Sequence, residues 1–349
     1  MRGAAGRAAS ACVCLALAAA VACRPDGGGP TATATPTPGA TATAAVQASP
    51  TPTPSPAPPQ VFSPGPLGTP VPPGRGEPKG RIAFVSFRDG QQEIYVVNPD
   101  GSGLKNVSNN EAADFDPDFS PDGKRIVFTS DREGTAVYTM NADGSDARRL
   151  TEGTDGGISP KWSPDGGRIA YSRAGWLVVM DADGANPVII HAGGKPTPGI
   201  ACSGAGVLGD WSPDGKWIAY YTADLSTERS ALCALAADGS EVRLILEEPP
   251  GIHAEPNWSP DGTRVTYRSI RDGVHEIYVY DLAKRRETKL TENDKLDVEP
   301  AWSPDGGWIV FASDRDSLES DIYVMSSDGT NVRRLAEHPR KDSFPTWGP

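Results

Sequence analysis

Histidine, methionine and cysteine are scarce in this chain of 349 residues, at four, four and five copies. It contains no G-x-S-x-G nucleophile elbow, no H-E-x-x-H, no phosphate-binding glycine loop and no C-x-x-C. The common hydrolase, zinc-protease, nucleotide and dithiol chemistries therefore have no foothold. Positive charge is also short. Lys and Arg number 33 against 45 Asp and Glu, a net −12, which excludes a nucleic-acid backbone as partner. Long hydrophobic runs are missing as well. The uncharged stretch Ala8 to Ala22 is too short to span a bilayer comfortably. Residues 24–80 have no Trp or Tyr and one Phe, Phe62, so they cannot bury enough apolar area to offset the entropy of ordering.

What abounds is glycine, at 39, and proline, at 34. Both punctuate helices, which argues against a helical bundle. The prolines divide in two. Sixteen lie in residues 24–80 among Thr, Ala and Ser, as in Thr51 to Pro59, and read as a disordered, extended stalk. Five more occupy the second position of Ser-Pro-Asp-Gly turns farther on.

Residues 1–22 read as an export signal, with Arg2 and Arg7 as its basic start. Ala20-Val21-Ala22-Cys23 resembles the bacterial lipobox, with Ala20 where Leu is usual. That resemblance implies cleavage before Cys23 and its acylation, which would hold residues 23–79 on a membrane as a tether. An ordinary cleaved signal is the alternative. The expected location is extracytoplasmic in either case.

From Gly80 onward one unit repeats. Ser-Pro-Asp-Gly begins at Ser120, Ser163, Ser212, Ser259 and Ser303, spaced by 43, 49, 47 and 44 residues, each time after an aromatic residue. A truncated copy ends the chain as Trp347-Gly348-Pro349. Such a period marks a repeat architecture. Each unit reads as four short strands: one entering the turn, one leaving it (Arg125 to Phe128), a third (Glu93 to Val97) and a fourth after an Asp-Gly turn. Residues 80–349 begin on a second strand and end on a lone first strand. Joining the two predicts an all-β, six-bladed β-propeller of four-stranded blades, closed by pairing of the C-terminal strand with the first blade.

The W-S-P-D-G turn, the R-I-A-F strand, the S-D-R loop (Ser130-Asp131-Arg132, Ser313-Asp314-Arg315) and the I-Y-V strand resemble the TolB-type β-propeller repeat over residues 80–349. The family's D-x-x-P loop, which the resemblance sets at the channel mouth, matches Asp114 to Pro117, Asp297 to Pro300 and Asp342 to Pro345. His253 to Pro256 departs at its first residue, and Gly157 to Pro160 and Gly206 to Gly209 depart further. With Asp116, Glu255 and Glu299 close by, Asp114, Asp297, Asp342 and His253 form the candidate site. It suits a cation such as Ca²⁺, or a basic partner. Turn capping by the same carboxylates is the competing role. Arg88, Arg132, Arg173, Arg271 and Arg315 are expected to pair with acids of neighbouring blades. Cys202 and Cys233 either form a disulfide or remain buried thiols. The Gly-rich segment His191 to Gly209 is a candidate contact loop.

The expectation is a monomeric, membrane-tethered binding scaffold for an envelope protein, peptide or polymer, with no cofactor beyond that cation. The alternative is an enzyme acting on an extracytoplasmic polysaccharide or peptide, pairing His253 with Asp297 or Glu299. Oligogalacturonate lyases share a similar propeller but rely on several metal-binding histidines, where this pattern offers one.

Overall fold

The computed structural model describes residues 60–63, 72–74, 76–153, 156–191, 202, 206–224, 229–246, 252–271 and 273–349. The signal at 1–22 and Cys23 lie outside them, as does most of 192–205. The side chains of Asp224 and Arg229, at strand ends, are likewise left undescribed. Among the described residues no helix is long and apolar enough to cross a membrane.

The turns dictate the architecture. In the first Ser-Pro-Asp-Gly turn Ser120 Oγ donates to Asp122 at 2.7 Å and accepts from the Arg125 N–H at 2.9 Å. Gly123 takes φ +68°, which an L side chain rarely adopts, and its N–H closes the turn on the Ser120 carbonyl at 2.8 Å. The same bonds recur in the other four turns.

A short strand, β1 (Gln60–Val61), precedes the repeats. β2 (Arg81–Ser86), β3 (Glu93–Val97) and β4 (Lys105–Asn106) belong to blade 1. Blade 2 is β5 (Asp114–Phe119), β6 (Arg125–Ser130), β7 (Ala136–Asn141) and β8 (Arg148–Arg149). Blade 3 is β9 (Ile158–Trp162), β10 (Arg168–Arg173), β11 (Trp176–Asp181) and β12 (Val188–His191). Blade 4 is β13 (Gly206–Trp211), β14 (Trp217–Asp224), β15 (Arg229–Ala236) and β16 (Val242–Leu246). Blade 5 is β17 (Ile252–Trp258), β18 (Arg264–Arg271), β19 (Val274–Asp281) and β20 (Arg286–Lys289). Blade 6 is β21 (Asp297–Trp302), β22 (Trp308–Ser313), β23 (Asp321–Ser326) and β24 (Arg333–Ala336). β25 (Asp342–Gly348) returns to blade 1 and pairs antiparallel with β2, setting Trp347 opposite Ile82. The predicted closure is therefore present.

Every blade is an antiparallel meander, and the first strands β5, β9, β13, β17, β21 and β25 touch one another in ring order around the axis. The middle strands are buried on both faces, which is why they read as apolar runs rather than alternating ones. In β2, Ile82 and Phe84 pack toward blade 6 while Ala83 packs toward blade 2. The core is thus divided into six clusters, one between each pair of neighbouring blades. Each buried Phe or Ile in such a layer contributes about 1.5–3 kcal/mol.

The tether reading meets one difference. Part of residues 23–79 is docked on the propeller. β1 runs parallel to β16 as a fifth strand of blade 4, and Phe62 is buried against Trp217 and Trp258. Proline-rich composition conceals such a contact because one aromatic side chain carries it.

Candidate functional site

The first residue of the D-x-x-P loop is the first thing to place. Asp114, Asp297 and Asp342 are fully buried. Each meets the arginine of its own blade's loop between second and third strands: Arg132 at 2.9 Å, Arg315 at 2.7 Å and Arg88 at 2.9 Å. Each guanidinium also lies over two rings, Phe128 and Tyr138, Phe311 and Tyr323, or Phe84 and Tyr95. Asn293 adds a hydrogen bond to Asp297 at 2.6 Å. Blades 6, 1 and 2 thus share an Asp–Arg–Phe–Tyr cluster within one blade, where the sequence suggested pairing between blades. Burial nevertheless pushes Asp342 up to about 6, against the pull of Ser86 and Arg88.

Blades 3, 4 and 5 depart at two positions together. The second-strand Phe becomes Tyr171, Tyr220 or Tyr267, and the loop's first residue becomes Gly157, Gly206 or His253. A Cβ on Gly157 would lie 2.9 Å from the Tyr171 ring, and one on Gly206 2.6 Å from that of Tyr220. In these two blades ring carbons of the tyrosine lie where the Cβ of an aspartate would have to be. In blade 5 the buried His253 shares a hydrogen bond with Ser269 Oγ at 2.9 Å and stands edge-on to Tyr267. Arg271, lacking an aspartate, pairs with Glu287 at 2.6 Å. In blade 4 the third-strand Tyr is replaced by Cys233, which forms a disulfide with Cys202 across a Cα–Cα distance of 5.8 Å.

The next polar residues line the channel. A bulge in the first strand turns the third loop residue to positive φ in five blades: Asp116 (52°), Ser159 (52°), Glu255 (58°), Glu299 (57°) and Phe344 (50°). The following proline has no N–H to lose from the ladder. The side chain at this position reaches to the next blade. Asp116 accepts from the Ser159 N–H at 3.0 Å, Glu255 from the Glu299 N–H at 2.8 Å, and Glu299 from the Phe344 N–H. Arg268 supports Glu255 at 3.2 Å.

Two residues on, beside the aromatic that ends each first strand, a second tier holds Asp118, Lys161, Asp210, Asn257 and Thr346. Asp118 accepts from the Trp162 N–H at 2.9 Å, from Thr346 at 3.2 Å, and meets Lys161 at 3.4 Å. Asp210 accepts from the N–H groups of Trp211 and Trp258. Sequence reasoning missed Asp118, Lys161, Asp210 and Arg268. The signal for the first three was the residue immediately before the aromatic of each turn.

Five carboxylates in the two tiers face two cations. Burial pushes Asp210 up to about 7, with Lys161 opposing and Asp118 adding to the rise. Burial raises Asp116 too, and raises Glu299 to about 7 with help from Glu255. Burial alone would lower Lys161, but Asp118, Asp210 and Asp116 hold it above its usual range. When ionised, the five carboxylates outnumber the two cations, and a cationic group would lower the cost of ionising the buried Asp116, Asp210 and Glu299. Asp114, Asp297 and Asp342 are committed to their arginines. Among the described residues no three His, Cys, Asp or Glu side chains are grouped as a metal ion would need.

Comparison with known proteins agrees with the repeat. The family model described as the TolB beta propeller domain matches residues 75–176 and 172–349. The Tol-Pal system protein TolB of Anaeromyxobacter dehalogenans is 33% identical over 110 residues, 32% of this chain and 25% of that protein. The Geobacter sulfurreducens protein of the same name is 40% identical over 52 residues, 15% of this chain and 12% of its own. The matches thus span a quarter or less of these curated relatives. Among solved structures, TolB from Acinetobacter baumannii superposes with a TM-score of 0.64 at 20% identity, covering 78% of this chain and 68% of that one. Kuenenia stuttgartiensis hydrazine synthase gives 0.61 at 18% identity, covering 77% and 46%. At such identities the likeness is one of fold. With two family matches that together run from residue 75 to the last residue, the chain belongs to the TolB β-propeller family.

Proposed function

We propose that this protein is a membrane-tethered, extracytoplasmic binding module whose central channel receives a basic, extended segment of an envelope protein. The observation that carries the reading is the pair of channel tiers: Asp116, Asp118, Asp210, Glu255 and Glu299 against Lys161 and Arg268. Focused negative potential inside low-dielectric walls attracts cationic side chains and steers their approach. The names of the relatives, which place them in a Tol-Pal system, fit a partner of the envelope. A binding role is favoured over hydrolysis because His253 is buried on Ser269 and Tyr267, while Asp297 is held by Arg315 and Asn293.

Fluorescence anisotropy with a labelled Lys/Ala nonapeptide, and with a Glu/Ala control, tests the channel. The basic peptide is expected to bind, to weaken with added salt, and to weaken further in Glu299→Gln and Asp118→Asn. Equal binding of the acidic peptide, or indifference to both substitutions, would refute the reading. Calorimetry with Ca²⁺ on the same proteins separates a metal site from a peptide site: heat lost in Asp118→Asn, with no peptide binding, would assign the channel to the ion. Metabolic labelling with palmitate, lost in Cys23→Ser, tests the tether.

A further inference from the structure

The residue that opens the second strand of each blade is Arg81, Arg125, Arg168, Trp217, Arg264 or Trp308. Three of the arginines cover the aromatic that ends the first strand of the next blade. Arg81 lies 5.3 Å from the Phe119 ring, Arg168 4.8 Å from that of Trp211, and Arg264 4.6 Å from that of Trp302. Blades 4 and 6 have tryptophan instead, so the aromatics beyond them, Trp258 and Trp347, lose that cover.

The segment before the repeats supplies it at both places. Phe62 stands between Trp217 and Trp258, its ring 5.4 Å from each, and only 5% of it is exposed. Its N–H donates to the Leu244 carbonyl at 2.7 Å, extending the β1–β16 ladder. Arg243 stacks on the outer side of Trp217 at 4.6 Å and reaches the Ser63 carbonyl at 3.3 Å. At blade 6 the Gly74 N–H donates to the Gly307 carbonyl at 2.6 Å. A Cβ on Gly74 would fall 2.2 Å from Trp308 Nε1, so only glycine can lie this flat on the indole. Trp347 Nε1 then donates to the Lys79 carbonyl at 2.8 Å.

We propose that the segment before the repeats is a docked strap of the propeller, held through residues 60–63, Gly74 and Lys79, with Trp217 and Trp308 as its receptor positions, and that the strap fixes where the tether leaves. The two blades that break the arginine pattern are the two on which the segment lies, and the seat is a strand addition with an aromatic plug. Gln60 pairs with Arg243, just after the Asp238-Gly239 turn. The chain therefore enters at the end of the propeller that carries the Asp-Gly and Ser-Pro-Asp-Gly turns. The opposite end, with the D-x-x-P and S-D-R loops, is turned away from the tether and left open. This orientation deepens the proposed function and rests on its tether; the docking itself does not.

Hydrogen exchange on the full chain, read by mass spectrometry, tests the docking without any membrane. In the wild type the amides of Phe62 and Gly74 are expected to be protected. In Phe62→Ala and in Trp217→Arg, which restores the residue four other blades carry, exchange at residue 62 should rise at least tenfold. The β14–β15 ladder should keep its protection. Open-chain exchange at Phe62 in the wild type, or protection retained in both variants, would overturn the proposal. If Trp217→Arg fails to fold, Phe62→Ala alone decides. Loss of Cys23 labelling would remove the tether but leave these rates unchanged.

Discussion

Asp210 gives the sharpest test of the channel electrostatics. Its carboxyl is held at about 7 in the folded chain, chiefly by burial, against an ordinary value of 3.8. An unfolded chain ionises it near 3.8, whereas the folded chain keeps the proton until about 7. Between those values the native state binds more protons than the unfolded one, so its stability falls as pH rises. The contribution is fully present below the unfolded value and is gone above the folded one. From about pH 5 up to 7 there are about two units, each worth about 1.4 kcal/mol, or about 3 kcal/mol in all. Asp210→Asn retains an oxygen to accept from Trp211 and Trp258 but cannot ionise. The variant's margin over the wild type should widen by about 3 kcal/mol between about pH 5 and about pH 8.5. Urea unfolding at both pH values, followed by tryptophan fluorescence, measures the difference. Other channel acids titrate in both proteins and cancel in the comparison. A gap that is the same at both pH values, or narrower at about pH 8.5, would refute the assignment of a buried, costly charge.

Other outcomes follow from the same geometry. Arg315→Ala leaves the fully buried Asp297 without its countercharge and should cost about 3–5 kcal/mol in denaturant unfolding. Reducing Cys202–Cys233, which closes a separation of 31 residues, should lower stability by about 3–4 kcal/mol. An unchanged unfolding midpoint under reductant would contradict that. Gly157→Asp should destabilise blade 3 by overpacking against Val137 and Tyr171, by about 1–3 kcal/mol. Combined with Tyr171→Ala, which removes the ring carbons that the new Cβ meets, the loss should be smaller than the sum of the two single losses. Strictly additive losses in the double variant would show that the two positions do not share that space.

The repeat, the turn chemistry and the ring closure were legible because each is decided locally. Ser, Asp and Gly of the turn bond to one another within five residues, so the motif and the structure are nearly the same statement. The candidate site was legible in position but not in role. Asp114, Asp297 and Asp342 stand where the D-x-x-P pattern puts them. Their commitment depends on arginines 18 residues later or, for Asp342, at the other end of the chain as Arg88. The signal that tells a structural aspartate from a free one was nonetheless present. Phe at the second-strand position accompanies Asp, and Tyr accompanies Gly or His, in all six repeats. Asp118, Lys161 and Asp210 could have been found by asking which residue alternates with the buried aromatic, since side chains in a strand point to opposite faces in turn. Arg268 could not, because it lies inside a strand where the other blades carry Val85, Thr129, Ser172, Tyr221 and Ala312. Phe62 escaped because composition averages over a segment, while docking rests on one ring.

The three blades that keep the Asp–Arg–Phe–Tyr cluster are contiguous, and the ring's seam lies in the middle one. Blade 1 is assembled from both ends of the repeat region. Its first strand is β25 and its others are β2, β3 and β4, so no turn joins first strand to second as Ser-Pro-Asp-Gly does elsewhere. What replaces the turn is the ladder from Arg81–Gly348 to Ser86–Asp342, together with the Asp342–Arg88 pair, whose partners lie 254 residues apart. The aspartate comes from the last strand and the arginine from the loop after β2. In blades 2 and 6 the same pair only reinforces strands already joined by a turn; in blade 1 it crosses the seam. In blade 1 the pair therefore joins strands that chain connectivity leaves separate. Blades 3, 4 and 5, which covalent turns hold together, are where the pattern relaxes to admit the disulfide of Cys202 and Cys233, the ammonium of Lys161 and the strap's aromatic plug.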